Sequence, residues 1–185
     1  MHILAKTIAQ HLSPPRFKHS MGVAQTAALL AQRYGVEPEQ AWLAGLVHDY
    51  AREMQAVDLL AWAQKLGELD HITQLHKELL HAPVGAHLIK LELGIQDLEI
   101  VQAVATHTLG DVNMSTLAKI IFLADMIEPG RKYPGVERLR EKGQQSLNEA
   151  VLGSIDHTIK YLVAEGKPIH PRTIAARNFL IMGGE

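Results

Sequence analysis

The sequence predicts an all-α, single-domain helical bundle. Three observations carry that expectation. Apolar residues recur at steps of three and four almost throughout, the period of a helix with one buried face. No segment sustains the alternation of a half-buried strand. Proline, glycine and serine fall where helices begin and end. A chain of 185 residues, 47 % of them hydrophobic, suffices for one substantial core, so 1–185 is read as one domain.

Leu4, Ile8 and Leu12 mark a short first helix, stopped by Pro14 and Pro15. A second helix over 17–34 carries Val23, Ala27, Leu30 and Tyr34 on one face and ends at Gly35. The third opens in EPEQ, with Pro38 in its first turn, and is expected to run through LAGLVHDYARE. A fourth, AVDLLAWAQKLG, ends at Gly67. A fifth begins with Pro83 and ends at Gly94, and a sixth runs from near Asp97 toward Gly110. Ser115 is the expected N-cap of the next, which stops at Pro129-Gly130. SLNEAVLGSIDHTIKYLVAEG and PRTIAARNFLIM supply the last two. The Pro/Gly-rich stretch PGRKYPGVERLR reads as a functional loop between closely flanking helices.

Composition narrows the chemistry. A net charge of -2 with 21 % charged residues excludes a disordered chain and a general nucleic-acid binder. With no cysteine there is no disulfide, thiolate zinc site, iron–sulfur cluster or cysteine nucleophile, so a metal must be held by His, Asp or Glu. The longest apolar runs are too short to span a bilayer, and MHILAKTIAQHL lacks the features of a signal peptide; a cytoplasmic protein is expected. The chain has eleven His, and their positions decide which matter.

Four polar residues fall on apolar faces. His19 extends the stripe of Val23, Ala27 and Leu30; Asp125 follows Ala118, Ile121 and Phe122; His107 follows Ile100, Ala103 and Val104. His48 shares its face with Ala41, Ala44 and Gly45, small residues that let another helix approach. One inward histidine is ordinarily a core residue bonded to a carbonyl. A buried carboxylate is costlier, several kcal/mol unless a cation meets it. No Lys or Arg is expected inside the apolar stripes. A divalent metal held by His19, His48, Asp49 and Asp125 would satisfy all four, and this mixed nitrogen and oxygen set suits iron, manganese, zinc or another first-row ion better than calcium.

The ordered segments FKHSMGVA, AGLVHDYAREM, LLHAPVGAHLI, ATHTLG, FLADMIEPGRKYPGVERLR and PIHPRTIAARN are similar to those of HD-domain metallophosphohydrolases. They resemble most the YqeK-type family of bacterial symmetrical diadenosine tetraphosphate hydrolases, over nearly the whole chain from Phe17 to Asn178. That resemblance implies an HD-type bundle with a buried metal site, core motifs over 16–131 and a nucleotide-binding segment over 168–178. It implies iron on His19, His48, Asp49 and Asp125, a homodimer, and cleavage of the tetraphosphate into two ADP. His81 and His107 match histidines that some HD enzymes use for a second metal and that here are expected to face substrate phosphates. Arg16, His81, His107, Thr108 and Arg131, with Pro168, Ile169, His170, Pro171, Arg172 and Thr173, match positions lining the nucleotide.

The residues support this chemistry independently. Phosphoanhydride hydrolysis needs charge neutralised, a water activated and a leaving phosphate stabilised. Arginine forks bind phosphate bidentately, and Arg131 lies a few residues past Asp125. Arg138 and Arg140 are read as solvating a loop. His81, at the mouth of a helix, is placed to donate to phosphate or act as general acid. Asp49 is the candidate to orient or deprotonate the attacking water, as a metal ligand or by a hydrogen bond. His170 and Pro171 also fit a helix-capping turn, and Trp42 and Trp62 are read as core. The alternatives are an HD phosphohydrolase for another nucleotide, such as a deoxynucleoside mono- or triphosphate, and a non-catalytic nucleotide-binding module.

Overall fold

The computed structural model describes residues 2–184. Among them lie eleven α-helices, one short 3-10 turn and no strand. The helices are α1 (His2–His11), α2 (Pro14–Tyr34), α3 (Pro38–Val47), α4 (Ala56–Leu66), α5 (His71–Leu75), α6 (His81–Glu92), α7 (Leu98–Thr106), α8 (Thr116–Ile127), α9 (Val136–Gly143), α10 (Leu147–Ala164) and α11 (Pro171–Ile181). The 3-10 turn is Lys77–Leu79. No helix among the described residues is long and apolar enough to cross a membrane.

Helix α8 is the axis of the bundle. Ser115 caps its start through Ala118 N–H, and Leu117 through Ala124 are all buried. It packs against α2, α3, α7, α9 and α10, and its last turn delivers Asp125. Helices α2 and α3 pack face to face because Gly45 lacks a side chain: a Cβ there would lie 2.7 Å from Ala24 Cα. The stripe of small residues thus does what its composition predicts, and brings His19 on α2 beside His48.

Several boundaries differ from the sequence reading, each for a physical reason. Pro14 and Pro15 start α2 instead of only stopping α1, since first-turn residues need no N–H partner. Arg16 therefore lies in the first turn of α2, three residues before His19. Ser13 fixes this start by donating its N–H and hydroxyl to Glu53, at 2.7 and 2.6 Å. Helix α3 ends at Val47, short of the HD pair. The His48 ring donates Nδ1–H to the Gly45 carbonyl at 2.7 Å, the carbonyl that the Asp49 amide would use in a continued helix. The reading of the HD pair as two positions on a helix is therefore corrected: both project from a tight turn, with Arg52 N bonded to Asp49 O at 2.9 Å. Helix α6 begins at His81, so Pro83 lies inside its first turn.

Two helices escape the apolar period. Helix α5 is five residues long and is held by a reciprocal cap between Asp70 and Thr73. Helix α9 occupies the end of PGRKYPGVERLR, where only Val136 and Leu139 are apolar and buried. Trp42 and Trp62 pack against the core as expected. Lys119 is buried on α8, so the expectation that no basic residue sits within the stripes is corrected.

Candidate metal centre and flanking cavities

Four side chains from three segments, α2, the turn after α3 and α8, converge beside the end of α8. His19 Nε2 lies 3.0 Å from Asp125 Oδ1 and 3.8 Å from Asp49 Oδ2; His48 Nε2 lies 3.4 Å from Asp49 Oδ2 and 3.9 Å from Asp125 Oδ1. For metal bonds of about 2.1 Å, neighbouring ligand atoms are separated by roughly 3.0 to 3.4 Å; the 3.0 and 3.4 Å pairs lie in that range and the 3.8 and 3.9 Å pairs above it, so the ligand atoms would close by about half an ångström on one ion. The imidazole nitrogens supply a second test. His48 Nδ1–H is committed to the Gly45 carbonyl, and His19 Nδ1–H to the Glu128 carboxylate at 3.2 Å. Each Nε2 is therefore a lone pair. Both are buried, make no hydrogen bond and face carboxylate oxygens. Lone pairs aimed at carboxylates require a proton or a cation between them, and a first-row divalent ion fits this donor set.

A second pair of rings adjoins the first. His81 Nδ1 donates to Glu78 O at 2.5 Å and His107 Nδ1 to Val104 O at 2.7 Å. His48, His81 and His107 thus share one device: the ring caps the carbonyl three residues earlier and turns Nε2 inward. His81 Nε2 and His107 Nε2 meet at 3.1 Å, and Thr108 Oγ1 lies 3.3 and 3.2 Å from them. Asp49 joins the two groups. Its Oδ2 faces His19 and His48, while its Oδ1 lies 3.2 Å from His81 Nε2 and 3.7 Å from His107 Nε2.

Burial opposes the negative charge of Asp49 and Asp125. The surrounding imidazoles outweigh it at both, joined by Arg131 at Asp125, and hold both carboxyls far below the ordinary 3.8. Burial likewise opposes a charge on His48, but the Asp49 carboxylate dominates and raises its pKa above 6.5. At His81 burial wins, and its pKa is lowered.

Arginines reach the carboxylates from the rim, not from the stripes. Arg16 Nη1 lies 2.8 Å from Asp49 Oδ2. Arg131 pairs with the Asp125 carboxylate and donates Nε–H to the Asp125 carbonyl at 2.7 Å. Glu128 was missed by the sequence reading and Arg140 misassigned. Glu128 is buried; its second oxygen accepts the Gly130 N–H at 2.6 Å. A Cβ on Gly22 or Gly130 would come within 2.6 or 2.7 Å of this carboxylate, so both glycines make room for it. Arg140 does not merely solvate a loop: it donates to the carbonyls of Ile127, Glu128 and Arg131 at 2.9, 2.9 and 3.1 Å, stapling the segment that carries Glu128 and Arg131. The apolar period could reveal neither, because both act through hydrogen bonds to partners fixed only by the fold.

The C-terminal segment is arranged differently. His170 N-caps α11 and pairs through Nε2 with Asp70 at 2.6 Å; Pro171 is the first residue of that helix, as expected. Arg172 pairs with Asp111 at 2.7 Å and lies 3.6 Å from Glu68, and Thr173 donates to Leu109 O at 2.9 Å. His170 and Arg172 border a cavity of about 120 Å³, together with residues flanking His81 and Thr108. A larger cavity, about 590 Å³, opens at His19.

The model of the HD domain family matches residues 16–130. The chain is 42 % identical to the symmetrical bis(5'-nucleosyl)-tetraphosphatase of Halalkalibacterium halodurans, over 95 % of this chain and 94 % of that one. It is 36 % identical to the enzyme of the same name from Bacillus subtilis, over 95 % of both. A crystal structure from Clostridium acetobutylicum, described as a predicted HD superfamily hydrolase involved in NAD metabolism, superposes with a TM-score of 0.94 at 40 % identity, over 98 % of this chain and 97 % of that one. The imidazoles and carboxylates that converge here all lie within the matched span, and the chain belongs to the HD-domain family, in the branch of the symmetrical bis(5'-nucleosyl)-tetraphosphatases.

Proposed function

We propose that this chain is a metal-dependent hydrolase that cleaves diadenosine tetraphosphate between its two middle phosphates and releases two ADP. The observation that carries the reading is the pair of lone-pair nitrogens, His19 Nε2 and His48 Nε2, facing Asp49 and Asp125 beneath Arg16 and Arg131. The relatives named for this reaction align along essentially the full chain. The metal, proposed to be iron with manganese or another first-row divalent ion as alternatives, is held by His19, His48, Asp49 and Asp125. When bound it supplies Lewis acidity and lowers the pKa of a bound water.

The chain's own groups complete the chemistry. Asp49 has one oxygen toward the metal ligands and one toward His81 and His107, so it can orient the attacking water by accepting its hydrogen bond. The facing nitrogens of His81 and His107 are two lone pairs unless one carries a proton. We assign one proton to this pair, held at Nε2 and passed to the departing phosphate. Burial lowers the His81 pKa, so His81 carries that proton only where the Asp49 carboxylate and the substrate phosphates offset the loss of hydration. Arg16 and Arg131 have donors left over after pairing with Asp49 and Asp125, and these, with Thr108, meet phosphate oxygens. The segment from Pro168 to Thr173 is assigned to the nucleoside nearest His81. A homodimer and a cytoplasmic location belong to the same reading and rest on the family resemblance. Product identification tests it: metal-loaded protein releases ADP alone from diadenosine tetraphosphate, whereas ATP with AMP would overturn it.

A further inference from the structure

We infer that the cavity beside His19 is the binding site for the second nucleoside of the substrate; this rests on the tetraphosphatase reading. A substrate cut at its centre carries one nucleoside on each side of the reacting bond, so the protein must accommodate two. The imidazoles form a chain in the order His19, His48, His107, His81, with ring centroids 5.3, 4.9 and 5.0 Å apart. One cavity opens at His19, and another is lined by Leu80 and Ala82, which flank His81. That near His81 offers about 120 Å³. That at His19 offers about 590 Å³, within the roughly 300 to 1,000 Å³ of ordinary small-molecule sites.

The walls of the larger cavity suit a purine nucleoside. Met21 and Pro129 are apolar surfaces on which a flat ring can lie, Gln25 carries an amide able to donate and accept along a base edge, and Lys18 adds a cation for the adjoining phosphate. Both oxygens of the Glu128 carboxylate in the same wall accept hydrogen bonds, from His19 and from the Gly130 amide, and the Lys18 cation in that wall offsets its charge. His19 itself lines the cavity, which places the nucleoside next to the metal centre.

Photolabelling with 2-azido-ADP, followed by peptide mapping, tests the site directly. Labelling within 15–33 or at Pro129-Gly130, suppressed by excess ADP, is expected. Labelling confined to 168–178, or labelling that ADP does not suppress, overturns the inference. A variant filling the cavity, Gln25→Trp, is expected to raise KM for diadenosine tetraphosphate about tenfold or more, with kcat within about threefold and metal content unchanged. An unchanged KM overturns it. Gln25 is exposed, so its replacement leaves folding intact, and Gln25→Ala, expected to raise KM in the same direction, provides a second variant. Release of ADP by the unaltered protein is scored separately: its absence ends the tetraphosphate reading even where labelling at 15–33 upholds a nucleotide site.

Discussion

The metal centre and the C-terminal cap of the bundle are built from the same residue types to opposite ends. Around α11, His170 has Asp70, Arg172 has Asp111 and Thr173 has the Leu109 carbonyl. Each of these three polar side chains is answered by another protein group. At the end of α8, His19 and His48 are held just as firmly through Nδ1, but their Nε2 atoms have no hydrogen-bond partner. A histidine satisfied at both nitrogens has no lone pair left for a metal. One anchored at a single nitrogen, with the other bare and buried, is prepared for a ligand.

Substitutions separate these two regions most sharply at the bare nitrogens. His48→Ala removes one ligand and should abolish stoichiometric metal binding, measured by elemental analysis, and cut turnover by about a thousandfold or more. If it folds, loses metal and stays fully active, the metal-centred mechanism is wrong. Glu128→Gln replaces the carboxylate that holds the His19 ring with an amide that can present its wrong end. Metal affinity should fall about 10- to 100-fold with the fold retained, as read by competitive chelation. Arg131→Ala should keep the metal and raise KM about tenfold or more, because it removes a phosphate donor and not a ligand.

Acidity sharpens the contrast further. Asp49 and Asp125 lie below 3.8 in the folded chain, so they stabilise the metal-free protein above that pH and lose the effect as pH falls through their folded values. His48 lies above 6.5, so its contribution is full below that pH and lost as pH rises past its folded value. A metal needs the same Nε2 deprotonated. The difference in Tm between loaded and metal-free protein should therefore widen from about pH 6 to about pH 8. The smallest effect is expected at the cap: Asp70→Ala removes a helix N-cap and the His170 partner, and should cost about 1 kcal/mol by denaturant titration without altering metal content. Metal loss in that variant would erase the distinction between the two regions.

Much of this was legible in the chain. Helical period placed α2, α4, α8, α10 and α11 well, since each has a long apolar face or clear punctuation. The inward positions of His19, His48, His107 and Asp125 followed from that period, and small residues around Gly45 announced the α2–α3 contact. What escaped was decided by polar bonds. The turn that aims Asp49 toward both ring pairs depends on a side chain capping a carbonyl, which no periodicity records. The ion pairs of Arg16 and Arg131 join residues that only folding brings together. Arg140 looked like one more surface cation because its three acceptors are backbone atoms.

The shared capping of His48, His81 and His107 carries one more consequence. Each ring is oriented by a carbonyl three residues back, at a helix end for His48 and His107 and in the 3-10 turn for His81, so its direction is set when that local structure forms and does not wait for an ion. The empty protein should already hold these imidazoles in their final directions, so that loading is a capture event with little refolding, and one divalent ion can be exchanged for another of similar radius without loosening the bundle.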